Sequence, residues 1–357
     1  MKALSILHRW SGGLIGLLLA ILGLSGTTLL WEGSWVSVPG AQDPLRENVQ
    51  IIGQVAEREM AAGATRITFA SDGIGLHLVN RDGGAGSYLN QHGDMVATWT
   101  SQWQRPELWI FDLHHHLFAG ETGETIAGVA GIFGLLFVVS GIFLWLRSRS
   151  PWRPRLLPTK FQPGPIVRHH RDLGILVAPL LLLTFLTGTG MVFKPAAGAV
   201  LSPWGQLEAR AKPPTVAPMS GPAPVAAMLA AAKAKFPDAA LRRINAPRKA
   251  DEPWTVTMRQ PFEWSLNGRT RLMFDGAGRL VKVSDPASGS QAASIYEKFL
   301  PLHSARVGGL AWKLVMTFSG LGLTILGAFA CLSFWFRKAR KRRRPDIVRA
   351  GLEVAAA

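Results

Sequence analysis

Four apolar stretches dominate this sequence, each about as long as a bilayer is thick. They run from about Trp10 to Trp31, Thr125 to Leu146, Leu173 to Phe193 and Leu310 to Phe336. A helix needs about 20 apolar residues to cross the roughly 30 Å hydrocarbon core. Only the last stretch carries a charge, Lys313 near one end. The expected fold is integral membrane α-helical, a four-helix transmembrane bundle. The composition agrees, with 48% hydrophobic residues and a mean hydropathy of +0.18. The first stretch also has a signal-peptide reading, since it follows Met1-Lys2 and is apolar. Its apolar part is too long for one and no A-x-A site follows, so it is expected to stay as a helix.

Basic residues set the expected orientation. Seven Arg and Lys and no acid stand in residues 147–171, between the second and third stretches, and eight basic residues follow the fourth. Both segments are expected on the cytoplasmic side, with both termini. The resulting plan is transmembrane helix 1 over 1–31, an exported module over 32–113, helix 2 over 114–147 and a cytoplasmic basic loop over 148–169. Helix 3 follows over 170–193, a second exported module over 194–302, helix 4 over 303–336 and a cytoplasmic basic tail over 337–357. The formal charge of +16 is then mostly a topology signal. The RKARKRRR run is a basic stop after a span, and no nucleic-acid partner is expected.

The one cysteine, Cys331, lies inside the fourth stretch. The exported modules therefore hold no disulfide, no cysteine metal cage and no C-x-x-C-H haem attachment. The expected cytoplasmic segments are too short for a nucleotide-binding domain, and no G-x-G-x-x-G follows a strand. Electrons for any redox chemistry must come from another molecule.

The chain also repeats itself. His8-Arg9 is followed by Gly12 and then Ser25-Gly26-Thr27; His170-Arg171 is followed by Gly174 and then Thr187-Gly188-Thr189. The spacing from His is four residues to the first Gly and eighteen to the second in both. His114 and His303 each precede a glycine by six residues, Gly120 and Gly309, and their stretches close on FLWLR and SFWFR. Two copies of one unit are expected, as parallel repeats about an axis along the membrane normal. Each exported module reads as a small α+β unit: a helix at 47–62 or 223–236, then strand-like runs with hairpin turns at NQHGDM and FDGAGR. Residues 203–224, rich in Pro and Ala, read as an extended connection.

Placed by depth, His8 and His170 fall at the cytoplasmic end, and His114 and His303 at the external end. One imidazole alone is readily an interfacial or capping residue, but two symmetric pairs at helix ends point to function. Paired histidines between helices, without cysteine or carboxylate, suit b-type haem, whose iron takes one imidazole on each face. Zinc would want further ligands at helical spacing, and His114-His115-His116 point about 100° apart on a helix. His169, His115 and His116 offer imidazoles one or two positions from the expected ligands. Gly12, Gly13, Gly16, Gly23, Gly26, Gly128, Gly131, Gly134 and Gly141 either leave room for a flat macrocycle or permit close helix packing. His77 and His92, in the first module, read as structural. Trp31, Trp35, Trp103, Trp109 and Trp204 read chiefly as a membrane belt.

The motifs LHRWSGG, DLHHHLFAGETG, HHRDLGI followed by PLLLLTFLTGTG, and LPLHSARVGG resemble the PepSY-associated transmembrane helix family. The resemblance spans almost the whole chain and extends to two PepSY-like periplasmic modules. Four-helix members of that family include di-haem siderophore-iron reductases of the bacterial inner membrane. The resemblance implies two bis-histidine b-type haems, His8 and His170 on the cytoplasmic side and His114 and His303 on the periplasmic side. It implies an oxidoreductase with no catalytic side chain of its own, passing electrons from a cytoplasmic donor to a periplasmic ferric siderophore or other ferric chelate, with membrane lipid around the helices. Iron would leave as iron(II). The second exported module, with 15 basic against 8 acidic residues, including Arg242, Arg243, Arg248, Lys249, Arg269 and Arg271, reads either as a surface that attracts an anionic chelate or as a scattered solvated surface; the first, with 5 against 10, is acidic, so any docking face should lean on the second. One alternative keeps the haems and exchanges electrons with quinone. Another, from a different class, is a haem-free membrane protein whose modules bind a periplasmic protein as inhibitor, chaperone or sensor.

Overall fold

A computed structural model describes residues 2–148, 151, 158–207, 213–218 and 221–355, the side chains of 337–355 excepted. Parts of the basic loop, the basic tail's side chains and part of the Pro/Ala-rich connection lie outside these residues. In chain order the helices are α1 (Lys2–Leu30), α2 (Glu32–Trp35), α3 (Val49–Ala61), α4 (Pro106–His116), α5 (Gly120–Leu146), α6 (Pro163–Val192), α7 (Lys194–Leu201), α8 (Val225–Lys235), α9 (Gln291–Glu297), α10 (Phe299–His303) and α11 (Gly309–Ala355). The strands are β1 (Arg66–Thr68), β2 (His77–Asn80), β3 (Gly86–Leu89), β4 (Met95–Trp99), β5 (Ala240–Asn245), β6 (Trp254–Arg259), β7 (Thr270–Phe274) and β8 (Leu280–Ser284). The chain divides into two compact units, one of long helices (1–30, 111–193 and 303–357) and one built on a sheet (31–110 and 194–302).

In the helical unit, α1, α5, α6 and the Gly309–Phe336 part of α11 are each long and apolar enough to cross a membrane. The protein is a multi-pass membrane protein. Neighbours pack in a ring: α1 along α11, α11 along α6, α6 along α5 and α5 back on α1. Leucines such as Leu14, Leu17, Leu136, Leu186 and Leu314 stand exposed on the outer surface, which suits helices solvated by lipid, where burial of apolar area is no longer the driving force.

Close approach takes its place. A Cβ on Gly16 would stand 2.7 Å from the Gly327 carbonyl oxygen, and one on Gly23 2.8 Å from that of Gly320. Along α5, Gly128 receives Val192 and Phe193, Gly131 receives Thr189 and Gly134 receives Phe185, all from the α6 side. These glycines therefore serve helix packing, as do Gly12 and Gly13 against Ala330 and Phe334. Of the glycines read as candidate gaps, Gly26 and Gly141 are the ones that face histidines.

In the sheet unit, eight strands form one antiparallel sheet in the order β4-β3-β2-β1-β5-β6-β7-β8. The two modules expected from sequence share it, joined where β1 pairs with β5, Ile67 against Ile244. Helices α3 and α8 pack together on one face, over a core of Ile52, Val55, Ile67, Val79, Met228, Leu229, Leu241, Ile244, Val256 and Phe274. Each fully buried aliphatic side chain there contributes on the order of 1.5–3 kcal/mol. Asn48 starts α3 by accepting hydrogen bonds from the Gln50 and Ile51 amides at 3.0 and 3.1 Å. The hairpin turns share a device: Asn90 Oδ1 accepts from the amides of His92 and Asp94, and Asp275 Oδ1 from those of Ala277 and Arg279.

Strand β5 is the element that alternation alone does not predict. Its sequence, ALRRIN, puts two arginines where an apolar residue is due. A bulge between Leu241 and Arg243 absorbs the extra residue, so that Leu241 and Ile244 both reach the core.

Candidate functional site

The helical unit brings the four singled-out histidines together as two pairs. The ring centroids of His8 and His170 are 6.3 Å apart, and so are those of His114 and His303. Each pair comes from diagonally placed segments: α1 with α6, and the ends of α4 and α10, which lead into α5 and α11. Gly26, which touches His114, lies eighteen residues beyond His8 on the same helix, so the two levels are about 27 Å apart at 1.5 Å per residue.

Local backbone explains how His114 and His303 reach the bundle. Both end a short helix that stops before the following span begins. After the first come Leu117 (φ 48°), Phe118 (φ 61°) and Gly120 (φ 55°); after the second, Ala305 (φ 50°), Gly308 (φ 71°) and Gly309 (φ 58°). Left-handed geometry at Leu, Phe and Ala costs roughly 1–2 kcal/mol per residue. The break holds each imidazole off the axis of the next span and against a neighbouring helix.

What the imidazoles rest on is matched. His114 lies against Gly26, where a Cβ would stand 2.7 Å from its Cε1; His303 lies against Gly188, where the distance would be 3.0 Å. Nδ1 of His114 is 3.1 Å from Ser25 Oγ, and the ring also bonds the Leu22 carbonyl. Nδ1 of His303 is 3.1 Å from Thr187 Oγ1 and 3.1 Å from the Thr184 carbonyl. Leu22, Ser25 and Gly26 on α1 thus do what Thr184, Thr187 and Gly188 do on α6.

These contacts decide the tautomers. Ser25 donates its one hydroxyl hydrogen to the Ile21 carbonyl at 2.8 Å, and Thr187 donates to Leu183 at 2.7 Å. Each hydroxyl then offers a lone pair to the histidine, so Nδ1 carries the proton and donates. Ser140 does the same for His8, donating to Leu136 at 2.6 Å while its oxygen lies 2.7 Å from His8 Nδ1. His170 bonds the Leu326 carbonyl, an acceptor only, so its ring nitrogen there is also the donor. A neutral imidazole with one nitrogen protonated keeps a lone pair on the other, which is the form that binds a metal.

The alternative imidazoles are turned elsewhere. His169 is buried with its ring against Phe329, centroids 5.5 Å apart. His115 stacks on Phe111 at 3.8 Å and bonds its carbonyl, and His116 Nδ1 lies 2.9 Å from Asp112 Oδ1. In the sheet unit, His77 is buried, and its Nδ1 accepts the Ala70 amide hydrogen at 3.0 Å; burial pushes it down to about 4. His92 sits in the β3–β4 turn. Trp35 packs on the Val36, Tyr88 and Trp99 cluster, while Trp103 and Trp204 are exposed.

Two imidazoles that bind one metal from opposite sides, each through a nitrogen at ~2 Å, have centroids about 6 Å apart. Both pairs meet that separation, with the donor nitrogens oriented by helix carbonyls and hydroxyls. Among the described residues no group of three or more His, Cys, Asp or Glu comes together. A haem needs only the pair, since the porphyrin supplies four nitrogens itself. The residues present therefore fit a bis-histidine haem at each level. Ser140, Phe137 (5.4 Å from the His8 ring) and Leu326 are the supporting residues that sequence reasoning missed. Ser25 and Thr187 were visible as a repeated motif, but their hydrogen-bonding role was not.

A family model described as PepSY-associated TM region matches residues 5–338, a stretch containing all four paired histidines. Among curated proteins no match is found.

Proposed function

The chain belongs to the PepSY-associated TM region family, and from that premise we propose that it is a di-haem electron-transfer protein of the bacterial inner membrane. In this reading both termini are cytoplasmic, the sheet unit is periplasmic, and the bundle is two parallel repeats of one two-helix unit. His8 and His170 hold the cytoplasmic haem and His114 and His303 the periplasmic one. The observation that carries it is the doubled geometry: two imidazole pairs at 6.3 Å, each ring holding one nitrogen as a donor to a helix and leaving the other as a ligand.

Bound there, b-type haems would supply one-electron carriers with no open coordination position, which suits electron transfer rather than oxygen binding. The chain's own part is to fix ligands, tautomers and spacing, and to bury the redox centres between helices. The electron acceptor we propose is a ferric siderophore or other ferric chelate docked on the sheet unit. One electron converts each iron(III) to iron(II), which hard oxygen-donor chelators hold less well, so the metal is released.

The test uses the detergent-purified haem protein, reduced without oxygen and freed of reductant. Mixed with a ferric chelate, its reduced absorption band should decay as iron(II) appears, one electron per iron. A reduced protein that persists unchanged with every hydroxamate, catecholate and carboxylate chelate tried would contradict the proposed acceptor.

A further inference from the structure

Helix α7 begins two residues after α6 ends, and α6 is one of the helices long and apolar enough to cross a membrane. Residues 195–207 carry no charge. Ala197 and Leu201 form the buried side of α7, which packs with α9 and with the turn at Ser202–Trp204. The other side exposes Pro195, Ala196, Ala199 and Val200, and Trp204 follows at 47% exposure. A helix that meets water shows it polar residues, and one that is apolar all round is buried or in lipid. The outer face of α7 is apolar, exposed, and two residues from the end of a span.

Helix α9 holds a second exposed aromatic group. At its start, Ser290 donates to the Gln206 carbonyl at 2.7 Å and accepts from the Ala293 amide at 3.2 Å. Gly205 (φ 108°) turns the chain against that serine and so fixes Trp204. Lys194, the first residue of α7, lies 5.9 Å over the ring of Tyr296 on α9. At the far end of α9, about 10 Å along, Glu297 Oε1 accepts from the Trp264 amide at 3.1 Å, and the Lys298 ammonium lies 5.2 Å over the Trp264 ring.

Trp264 belongs to the β6–β7 loop, which is wound around the buried Glu263. That carboxylate accepts from the Gln260 amide at 3.0 Å, the Thr270 hydroxyl at 2.7 Å and the Arg269 amide. With Glu263 turned inward, Phe262 and Trp264 on either side of it are left 50% and 42% exposed. The loop is pinned at its base and presents two large apolar rings outward. Aromatic rings beside cations, next to a membrane span, suit the headgroup region of a bilayer.

We infer that α7 with Trp204, and the β6–β7 loop with Phe262 and Trp264, rest on the surface of the bilayer that the spans cross. The chain leads from α9 directly into α10 and His303, so a contact that steadies α9 also steadies the segment carrying that imidazole. The inference rests on the membrane spans and not on the haem reading, and it applies equally to a colourless protein.

The test places a nitrobenzoxadiazole label on single cysteines, Val200→Cys or Phe262→Cys, in a full-length Cys331→Ser background. Met95→Cys is the control, an exposed apolar position on the sheet edge at β4, about 24 Å across the strands from β6. Each protein is reconstituted into phosphatidylcholine vesicles with and without a phospholipid carrying a nitroxide near its headgroup. The ratio between the two vesicle types cancels any quenching by haem. Interfacial side chains sit about 5–10 Å into the headgroup and acyl boundary, so the labels at 200 and 262 should lose about half of their emission or more, and the label at 95 little. Trp204→Cys takes the place of Val200→Cys should that variant fail to fold. Quenching at 200 and 262 no greater than at 95 would overturn the contact. Quenching at 200 alone would overturn the part given to the loop, and at 262 alone the part given to α7. Blue-shifted emission at both positions that the nitroxide lipid leaves untouched would mean that protein, such as a second copy of the chain, covers this face, and would overturn the bilayer contact.

Discussion

Ser25 and His114 form the contact that best defines the chemistry of the bundle. The serine's hydrogen goes to its own helix at 2.8 Å, and its oxygen faces Nδ1 of the histidine at 3.1 Å. The Leu22 carbonyl also bonds the ring, and the serine contact gives the imidazole one orientation and one tautomer, with Nε2 left to bind. Removing such an outer support typically costs about 10–100-fold in metal affinity. Because the carbonyl remains, Ser25→Ala should sit near the low end, about tenfold. The midpoint potential of one haem should move and the other should not. Thr187→Val should act on that same haem, through His303. Redox titration checks both; a shift in the other haem alone would mean that the pairs are wrongly assigned.

The ligands themselves separate by level. His170→Ala should remove the haem it shares with His8 and halve the haem content, leaving the second haem's spectrum in place. His303→Ala should do the converse. The double variant should be colourless. Unchanged haem content in His170→Ala would show that another residue, His169 being the nearest, supplies the ligand.

Glycine positions in α1 should differ sharply. A Cβ at Gly12 would find Ala330 Cβ at 3.8 Å, ordinary contact, whereas at Gly16 or Gly23 it would meet backbone carbonyls at 2.7 or 2.8 Å. Gly12→Ala should be close to neutral. Gly16→Ala and Gly23→Ala should each cost about 1–3 kcal/mol, the usual penalty for overpacking, seen as a lower unfolding midpoint in detergent. Equal tolerance at all three positions would mean that α1 and α11 do not approach as closely as described.

Acid should destabilise the sheet unit through His77. Its pKa is near 4 in the folded chain, lowered by burial, against about 6.5 when unfolded. The unfolded chain therefore takes up the proton first as pH falls. This contribution is complete above about pH 6.5 and is lost progressively down to about pH 4, amounting to about 3 kcal/mol. Thermal unfolding of the full chain between pH 7 and 4.5 measures it, and His77→Gln should flatten the dependence. A parent protein as stable at pH 4.5 as at pH 7 would contradict the buried neutral imidazole.

Much of the helical unit was legible in the sequence because lipid imposes one coarse rule, about 20 apolar residues per crossing, and those runs were unmistakable. The structure extends the first and third spans to their histidines, since α1 begins at Lys2 and α6 at Pro163, where polarity hides the helix from a hydropathy reading. His8 and His170 stood out through their equal spacing to Ser25-Gly26 and Thr187-Gly188. The glycines were ambiguous because contact with a ring and contact with a helix ask for the same missing side chain. Only coordinates separate Gly26, which faces His114, from Gly23, which faces Gly320. Strand β5 was hidden because Arg242-Arg243 interrupts its alternation, and with it the joining of β1 to β5 into a single sheet. That pairing also brings Arg66 to Arg243 from the two halves of the chain, a proximity that no local pattern announces.

The most direct measurement is the absorption spectrum of the detergent-purified protein, oxidised and then dithionite-reduced, with haem counted per chain. Two six-coordinate b-type haems per chain is the predicted result. A protein that stays colourless after expression with added haem would contradict the account and leave a haem-free membrane protein whose sheet unit binds another protein.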